Sequence, residues 1–142
     1  MRVIILTGLP GAGKSTVCKN WYPNYVRINQ DNLGSRDACI KEMIQCLEQN
    51  QNVIVDRVNH TTKQRKFWID LALQHGAESV TSVVLQVPEE ECVARIHNRK
   101  DHETIKEDMP LEQKKSIVYK FNKDFEMPSL SEGFSTIIIH RN

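Results

Sequence analysis

Val3-Ile4-Ile5-Leu6-Thr7-Gly8-Leu9-Pro10-Gly11-Ala12-Gly13-Lys14-Ser15-Thr16 is the stretch on which the reading of the fold turns. Val3 to Thr7 forms an unbroken run of the kind expected for a central parallel strand covered on both faces. The pattern G-x-x-x-x-G-K-S then occupies Gly8–Ser15, directly after that strand and before a helical stretch, which is the context of a phosphate-binding loop. Gly8, Gly11 and Gly13 can adopt backbone angles that a Cβ forbids. Successive N–H groups of the loop, including those of Ala12 and Gly13 after Pro10, can therefore turn inward as an anion nest at the positive end of the next helix. Lys14 is placed to bridge the β- and γ-phosphates of a triphosphate, the Ser15 hydroxyl to bind magnesium, and Thr16 to meet the α-phosphate. ATP or another nucleoside triphosphate, with Mg2+, is the expected ligand.

Outward from this loop, strand-like and helix-like stretches alternate to the end of the chain. That pattern predicts an α/β fold, a five-stranded parallel sheet sandwiched by helices in the P-loop kinase manner, as one domain over 1–142. A helix is expected from Lys14 to about Asn20, with Pro23 barring its continuation. Tyr25–Ile28 reads as a second strand. Cys39, Ile40, Met43, Ile44 and Leu47 give residues 36–49 the spacing of an amphipathic helix, with Cys39 and Cys46 on its inward side. Val53–Asp56 is a third strand. Thr61 and Gln64 suit a capping box for a helix through Phe67, Trp68, Leu71 and Ala72, and Gly76 suits its C-terminal cap. Val80–Val87 is a fourth strand. Pro88 followed by Glu89, Glu90 and Glu91 opens another helix at its positive dipole end. Residues 100–109 lack apolar periodicity and read as a mobile loop, part of a lid over about 95–110. A helix over Pro110–Phe125, with Leu111, Ile117, Val118 and Phe121 inward, and a strand over Ser135–His140 complete the order.

Composition narrows the class. The 142 residues are 39% hydrophobic and 26% charged, the profile of a soluble globular protein, and the net charge of +1 supplies no global field for nucleic acid. No apolar run approaches the roughly 20 residues that span a bilayer, so no membrane association is expected. The opening Met1–Leu6 is too short for a signal peptide, which suggests a cytoplasmic protein, or a nuclear one in a eukaryote. Four cysteines at 18, 39, 46 and 92 and five histidines at 60, 75, 97, 102 and 140 show no zinc-ligand spacing.

Two carboxylates stand where chemistry needs them. Asp56 ends the apolar strand Val53–Val55, the position from which a carboxylate holds magnesium directly or through water. Asp31 lies in Asn29-Gln30-Asp31-Asn32-Leu33-Gly34, after the second strand, at the carboxyl edge of the sheet where ligands of such folds bind. A carboxylate there can take the proton of an attacking hydroxyl; the same residue types equally favour a helix N-cap or an Asx-turn. Arg95 and Arg99, four apart, project from one helix face beside the loop and suit neutralisation of a transferring phosphoryl group.

Four elements occur together in order: Asn-Gln-Asp-x-Leu-Gly; Asp56 nine residues before Arg65; Ala94-Arg95-x-x-Asn98-Arg99; and Phe125-Glu126-x-Pro128-x-Leu130-x-Glu132-Gly133-Phe134. From residue 3 to about 139 the chain thereby resembles the kinase domain of the polynucleotide 5′-hydroxyl kinase / 3′-phosphatase family, and more loosely the bacteriophage polynucleotide kinase. The resemblance implies that Asp31 is the general base toward the 5′-OH end of an RNA or DNA strand. It implies that Arg65 contacts an acceptor phosphate, and that Arg95 and Arg99 are lid arginines on the transferring group. The chain departs from the family at Arg57-Val58-Asn59-His60, where Asn-Thr-Asn-Pro is usual, and at Lys100-Asp101, where a further arginine is frequent. The likeness covers a kinase unit, so a 3′-phosphatase activity is not implied. Two other readings fit the loop: a kinase of a nucleoside or other small-molecule hydroxyl, and a nucleotide-binding switch protein without phosphotransfer.

Overall fold

The computed structural model describes residues 1–98 and 109–141. The first strand, β1 (Arg2–Gly8), lies at the centre of a five-stranded, wholly parallel sheet, because its side chains are apolar on both faces and need cover on both. With β2 (Val26–Ile28), β3 (Val53–Asp56), β4 (Ser79–Gln86) and β5 (Thr136–Arg141), the order across the sheet is β2-β3-β1-β4-β5. The helices among the described residues are α1 (Lys14–Trp21), the short α2 (Gln30–Leu33), α3 (Arg36–Glu48), α4 (Thr62–Gln74), α5 (Glu89–Asn98) and α6 (Leu111–Lys123), with a 3-10 turn at Leu130–Glu132. The expected architecture is the observed one, with element ends displaced by one or two residues.

Strand alternation divides the apolar side chains between two cores. Val3, Ile5, Ile28, Val53 and Val55 meet α3 and α4 through Cys39, Met43, Leu47, Trp68 and Ala72. Ile4, Leu6, Ile54 and Val83 point the other way, onto Cys18 of α1, Cys92 and Ile96 of α5, and Val118 of α6. All four cysteines are buried and unpaired. Leu111 corrects the expected inward face of the last helix: it is exposed, and Lys114 is buried instead. Pro110 is the N-cap of α6, so Leu111 lies at the frayed first position rather than inside a turn. At the sheet's far edge, Ile138 and Ile139 of β5 are also exposed.

Register sets the functional edge. Leu6 lies opposite Asp56 and Ile28 opposite Val55, so the carboxyl ends of β1, β2 and β3 finish side by side. The chain leaves these three ends as the glycine loop, as α2, and as the segment 57–60. No helix among the described residues is long and apolar enough to cross a membrane.

A candidate phosphoryl-transfer site at the carboxyl edge

Gly13 is the N-cap of α1 and takes a left-handed backbone (φ 98°), which turns the loop into the helix without a side-chain cap. Gly11 (φ 86°) lies against α5: a Cβ there would run into the Cys92 carbonyl and the Ile96 side chain. The loop is thus gripped between α1 and α5. The Lys14 ammonium folds back onto it, donating to the carbonyls of Gly8 and Leu9 at 2.9 and 3.0 Å. Desolvation holds Lys14 below the ordinary lysine range, with Asp56 opposing that shift.

Arg95 of α5 reaches the loop directly. Its Nη1 donates to the Ala12 carbonyl at 3.2 Å, while Nη2 pairs with Glu91 at 2.8 Å. A cavity of about 930 Å³ opens beside the loop, lined by Gly13, Thr16, Trp21, Arg95, His140 and Arg141 among others. Trp21 is 64% exposed at its rim and meets the His140 ring edge-on at 5.1 Å. Arg99 and most of the expected lid fall on 99–108, outside the described residues.

Asp56 is almost wholly buried, and its carboxylate is the hub of the site. Its Oδ2 accepts from Arg27 Nε at 2.6 Å and from Asn29 Nδ2 at 3.2 Å, while Oδ1 is buried without a partner. The same Arg27 guanidinium donates from Nη2 to Ser15 Oγ at 2.9 Å. The loop hydroxyl and the strand-end carboxylate therefore share one cation, and one hard oxygen remains unsatisfied. This donor set fits a magnesium ion, which prefers oxygen ligands. Burial beside Asp56 pushes the Cys18 thiol up to about 12, so it is no nucleophile.

Asn29 also positions Asp31. As N-cap of α2 it accepts from the Asn32 backbone N–H at 3.2 Å while its amide holds Asp56, so one side chain fixes α2 to the carboxylate hub. Asp31 lies exposed in the first turn of α2, at the same edge as the glycine loop. Asn29, not Asp31, is therefore the helix cap.

Arg65 is a correction. Expected at the surface on an acceptor phosphate, it is 0% exposed, and its guanidinium pairs in two-pronged fashion with Glu132 at 2.8 and 3.2 Å. A third bond, at 2.9 Å, runs to the Asn59 carbonyl. Every direction in which it donates is turned inward, so no direct contact with a strand is open to it. The reason is long-range: Glu132 lies 67 residues away in sequence and is brought in by the 3-10 turn. The final motif is structural in the same sense. Glu126 is tied to the His60 carbonyl and the Thr62 N–H, Glu132 caps Ser129, Gly133 has φ 114°, and Phe134 is core.

Segment 57–60 is stitched to the end of β1. Asn59 takes φ 48° and donates to the Leu6 carbonyl at 2.7 Å, and the Gly8 N–H donates to the Val58 carbonyl. Arg57, the charge that stands where the resembled family has none, lies over the Trp68 ring at 5.6 Å with Nη1 buried and unpartnered.

A strand, a glycine loop cradled at a helix N-terminus, a lysine, a buried strand-end carboxylate and a helix arginine over the loop define a nucleotide-binding protein of the P-loop kinase type. The chain belongs to the family described as AAA domain, whose model matches residues 3–123. It is 34% identical over 140 residues to a bifunctional polynucleotide phosphatase/kinase of Schizosaccharomyces pombe, covering 95% of this chain and 32% of that protein. The chain thus spans about a third of that relative's length. Among solved structures, a fungal RNA kinase matches with TM-score 0.70 at 18% identity, covering 97% of this chain and 73% of that one. A gluconokinase from Sinorhizobium meliloti matches with TM-score 0.66 at 18% identity, covering 98% and 81%. At that identity the two structures show a shared fold. The expected resemblance to polynucleotide kinases is borne out.

Proposed function

We propose that the chain is an ATP-dependent polynucleotide 5′-hydroxyl kinase acting on RNA or DNA ends. The observation that carries the reading is the placement of Asp31: an exposed carboxylate in the first turn of α2, fixed through Asn29 to the Asp56 hub beside the glycine loop. The similarity to the yeast phosphatase/kinase supports the acceptor class.

In this reading the loop N–H groups and the positive end of α1 hold the phosphate chain. Lys14 leaves the Gly8 and Leu9 carbonyls for the β- and γ-phosphates, and its depressed proton affinity recovers beside their charge. Ser15 and Asp56 would hold magnesium, which when bound neutralises phosphate charge. Asp31 orients the acceptor hydroxyl and receives its proton as the bond to phosphorus forms. Arg95, already over the loop, neutralises charge on the transferring group, and Arg99 would join it from the lid. Arg65 acts on none of these and braces the wall behind them.

The gluconokinase likeness favours a second reading, a small-molecule acceptor, since the fold serves both. The deciding experiment supplies γ-labelled ATP, magnesium and a short 5′-hydroxyl RNA or DNA. Label is expected on the 5′ end, falling at least about 100-fold in Asp31→Ala with triphosphate binding retained. A strand acceptor also weakens steeply with salt, whereas a neutral metabolite does not. ATP binding without transfer to either strand would overturn the proposal and leave the small-molecule kinase.

A further inference from the structure

We propose that Arg27 is a built-in counter-cation at the metal position, holding Ser15 and Asp56 together until a magnesium–triphosphate complex displaces it. The inference rests on the reading of Ser15 and Asp56 as magnesium ligands. Arg27 bonds to both of the oxygens that reading requires, at 2.9 Å to Ser15 Oγ and 2.6 Å to Asp56 Oδ2. A magnesium ion binds oxygen at roughly 2.0–2.1 Å and demands near-octahedral geometry. Of the oxygens in that donor set, Ser15 Oγ and Asp56 Oδ2 already accept from the guanidinium while Asp56 Oδ1 stands open, and a +1 and a +2 charge so close repel each other. One cation or the other can hold the pair.

Three features make this an exchange rather than a permanent brace. The Asp56 side chain is 1% exposed while that of Arg27 keeps 18% exposure, so the arginine has a way out and the carboxylate has none. Arg27 sits at the middle of β2, a three-residue strand at the sheet's edge whose strand pairing is with β3. Asp56 Oδ1 has no partner, so the arginine satisfies the carboxylate by half. A buried carboxylate with no cation is strongly disfavoured, and Arg27 keeps Asp56 paired and aimed before any metal arrives. Metal alone must compete with this tethered cation. Metal with a triphosphate brings further ligands, since phosphate oxygens join the coordination sphere. The site therefore favours magnesium and nucleotide together over either component singly.

The wild-type protein can be tested by nitrogen-15 NMR of its arginine side chains, with the Arg27 Nε–H signal identified by its loss in Arg27→Lys. The signal is expected to exchange slowly with water in the free protein, with magnesium alone, and with a non-hydrolysable ATP analogue in a chelator. It is expected to shift and exchange rapidly once magnesium and the analogue are added together. A signal that persists in that last state, or that is released equally without metal, overturns the proposal. A second arm measures Mn2+ binding by electron paramagnetic resonance. Arg27→Met is expected to bind Mn2+ at least tenfold more tightly than wild type, and Arg27→Met/Asp56→Asn to lose that binding. Tight binding that depends on Asp56 but not on Arg27 would leave the metal reading standing and end this one. Binding indifferent to Asp56 would end both.

Discussion

Gly11 shows how much a single position can demand. Its φ of 86° already disfavours any side chain, and α5 closes the space that a Cβ would occupy, against the Cys92 carbonyl and Ile96. Gly11→Ala is expected to cost at least about 1–3 kcal/mol, read from the urea midpoint, and to weaken triphosphate binding at the same time. A variant of wild-type stability and affinity would mean that the loop is not gripped by α5. Residues of this kind were legible in the sequence because their requirements are local: the glycines, Lys14, Ser15 and Asp56 announce themselves by spacing within a few positions. Arg27 and Arg65 did not. Arg27 reaches Asp56 only because β2 lies beside β3 in one register, and Arg65 is buried only because Glu132 returns from 67 residues away. Neither Val26-Arg27-Ile28 nor Gln64-Arg65-Lys66 carries any trace of these partners. Nor does sequence single out the cap within Asn29–Asp31; the bond that Asn29 accepts from the Asn32 N–H does.

Between elements, α4 and the 3-10 turn at 130–132 are joined by the Arg65–Glu132 pair, with Arg65 wholly buried. Removing one partner strands a charge, so Arg65→Met or Glu132→Gln is expected to destabilise by about 3–5 kcal/mol in denaturant titrations. The double variant Arg65→Met/Glu132→Leu should recover much of that loss. Failure of the double variant to recover would show that the Asn59 bond, rather than the ion pair, is what matters. His60 sits at the junction of the same segment with α6. Its ring meets Phe121 edge-on at 4.9 Å, its Nδ1 is buried without a partner, and burial holds its pKa below the ordinary 6.5. The sign follows directly: as pH falls, the unfolded chain takes the proton first, so stability is lost from about pH 7 down to the folded-state pKa. The slope contributed is at most about 1.4 kcal/mol per pH unit. His60→Gln is expected to flatten that slope between pH 7 and 5.5, and an unchanged slope would place the titration elsewhere. Glu126, whose carboxyl is lowered by its bond from Thr62, loses its contribution only as pH falls below about 4.5, under the range in which His60→Gln is read. At this scale the Thr61 cap was readable, as its hydroxyl accepts from the Gln64 N–H. Leu111 was misplaced because periodicity alone does not say where the first turn stops being held.

Across the whole molecule, the alternation of strand and helix sufficed to predict the layers, since each strand apolar on both faces requires cover above and below. Which strands are neighbours was beyond it, because pairing joins segments far apart in sequence. The two cores account for all four cysteines, with burial pushing Cys18 to about 12 and both Cys46 and Cys92 to about 11. A thiol reagent such as Ellman's is therefore expected to label none of them in the native protein and all four in urea, at a rate set by unfolding. Prompt labelling of one thiol would show that a core opens locally. The order β2-β3-β1-β4-β5 has a kinetic consequence as well. β1 has β3 on one side and β4 on the other, strands that begin about fifty and about seventy-five residues further along the chain. The glycine loop leaves β1 and leans on α5, which comes later still. Parallel pairings across such distances are slow to find, because chain entropy is spent before contacts return it. A growing or refolding chain thus carries the whole phosphate-loop motif by residue 16, ahead of the elements it leans on, yet cannot present it in working shape until α5 has docked. Triphosphate binding is therefore a late event in the folding of each molecule, and its onset marks the docking of α5 onto the loop.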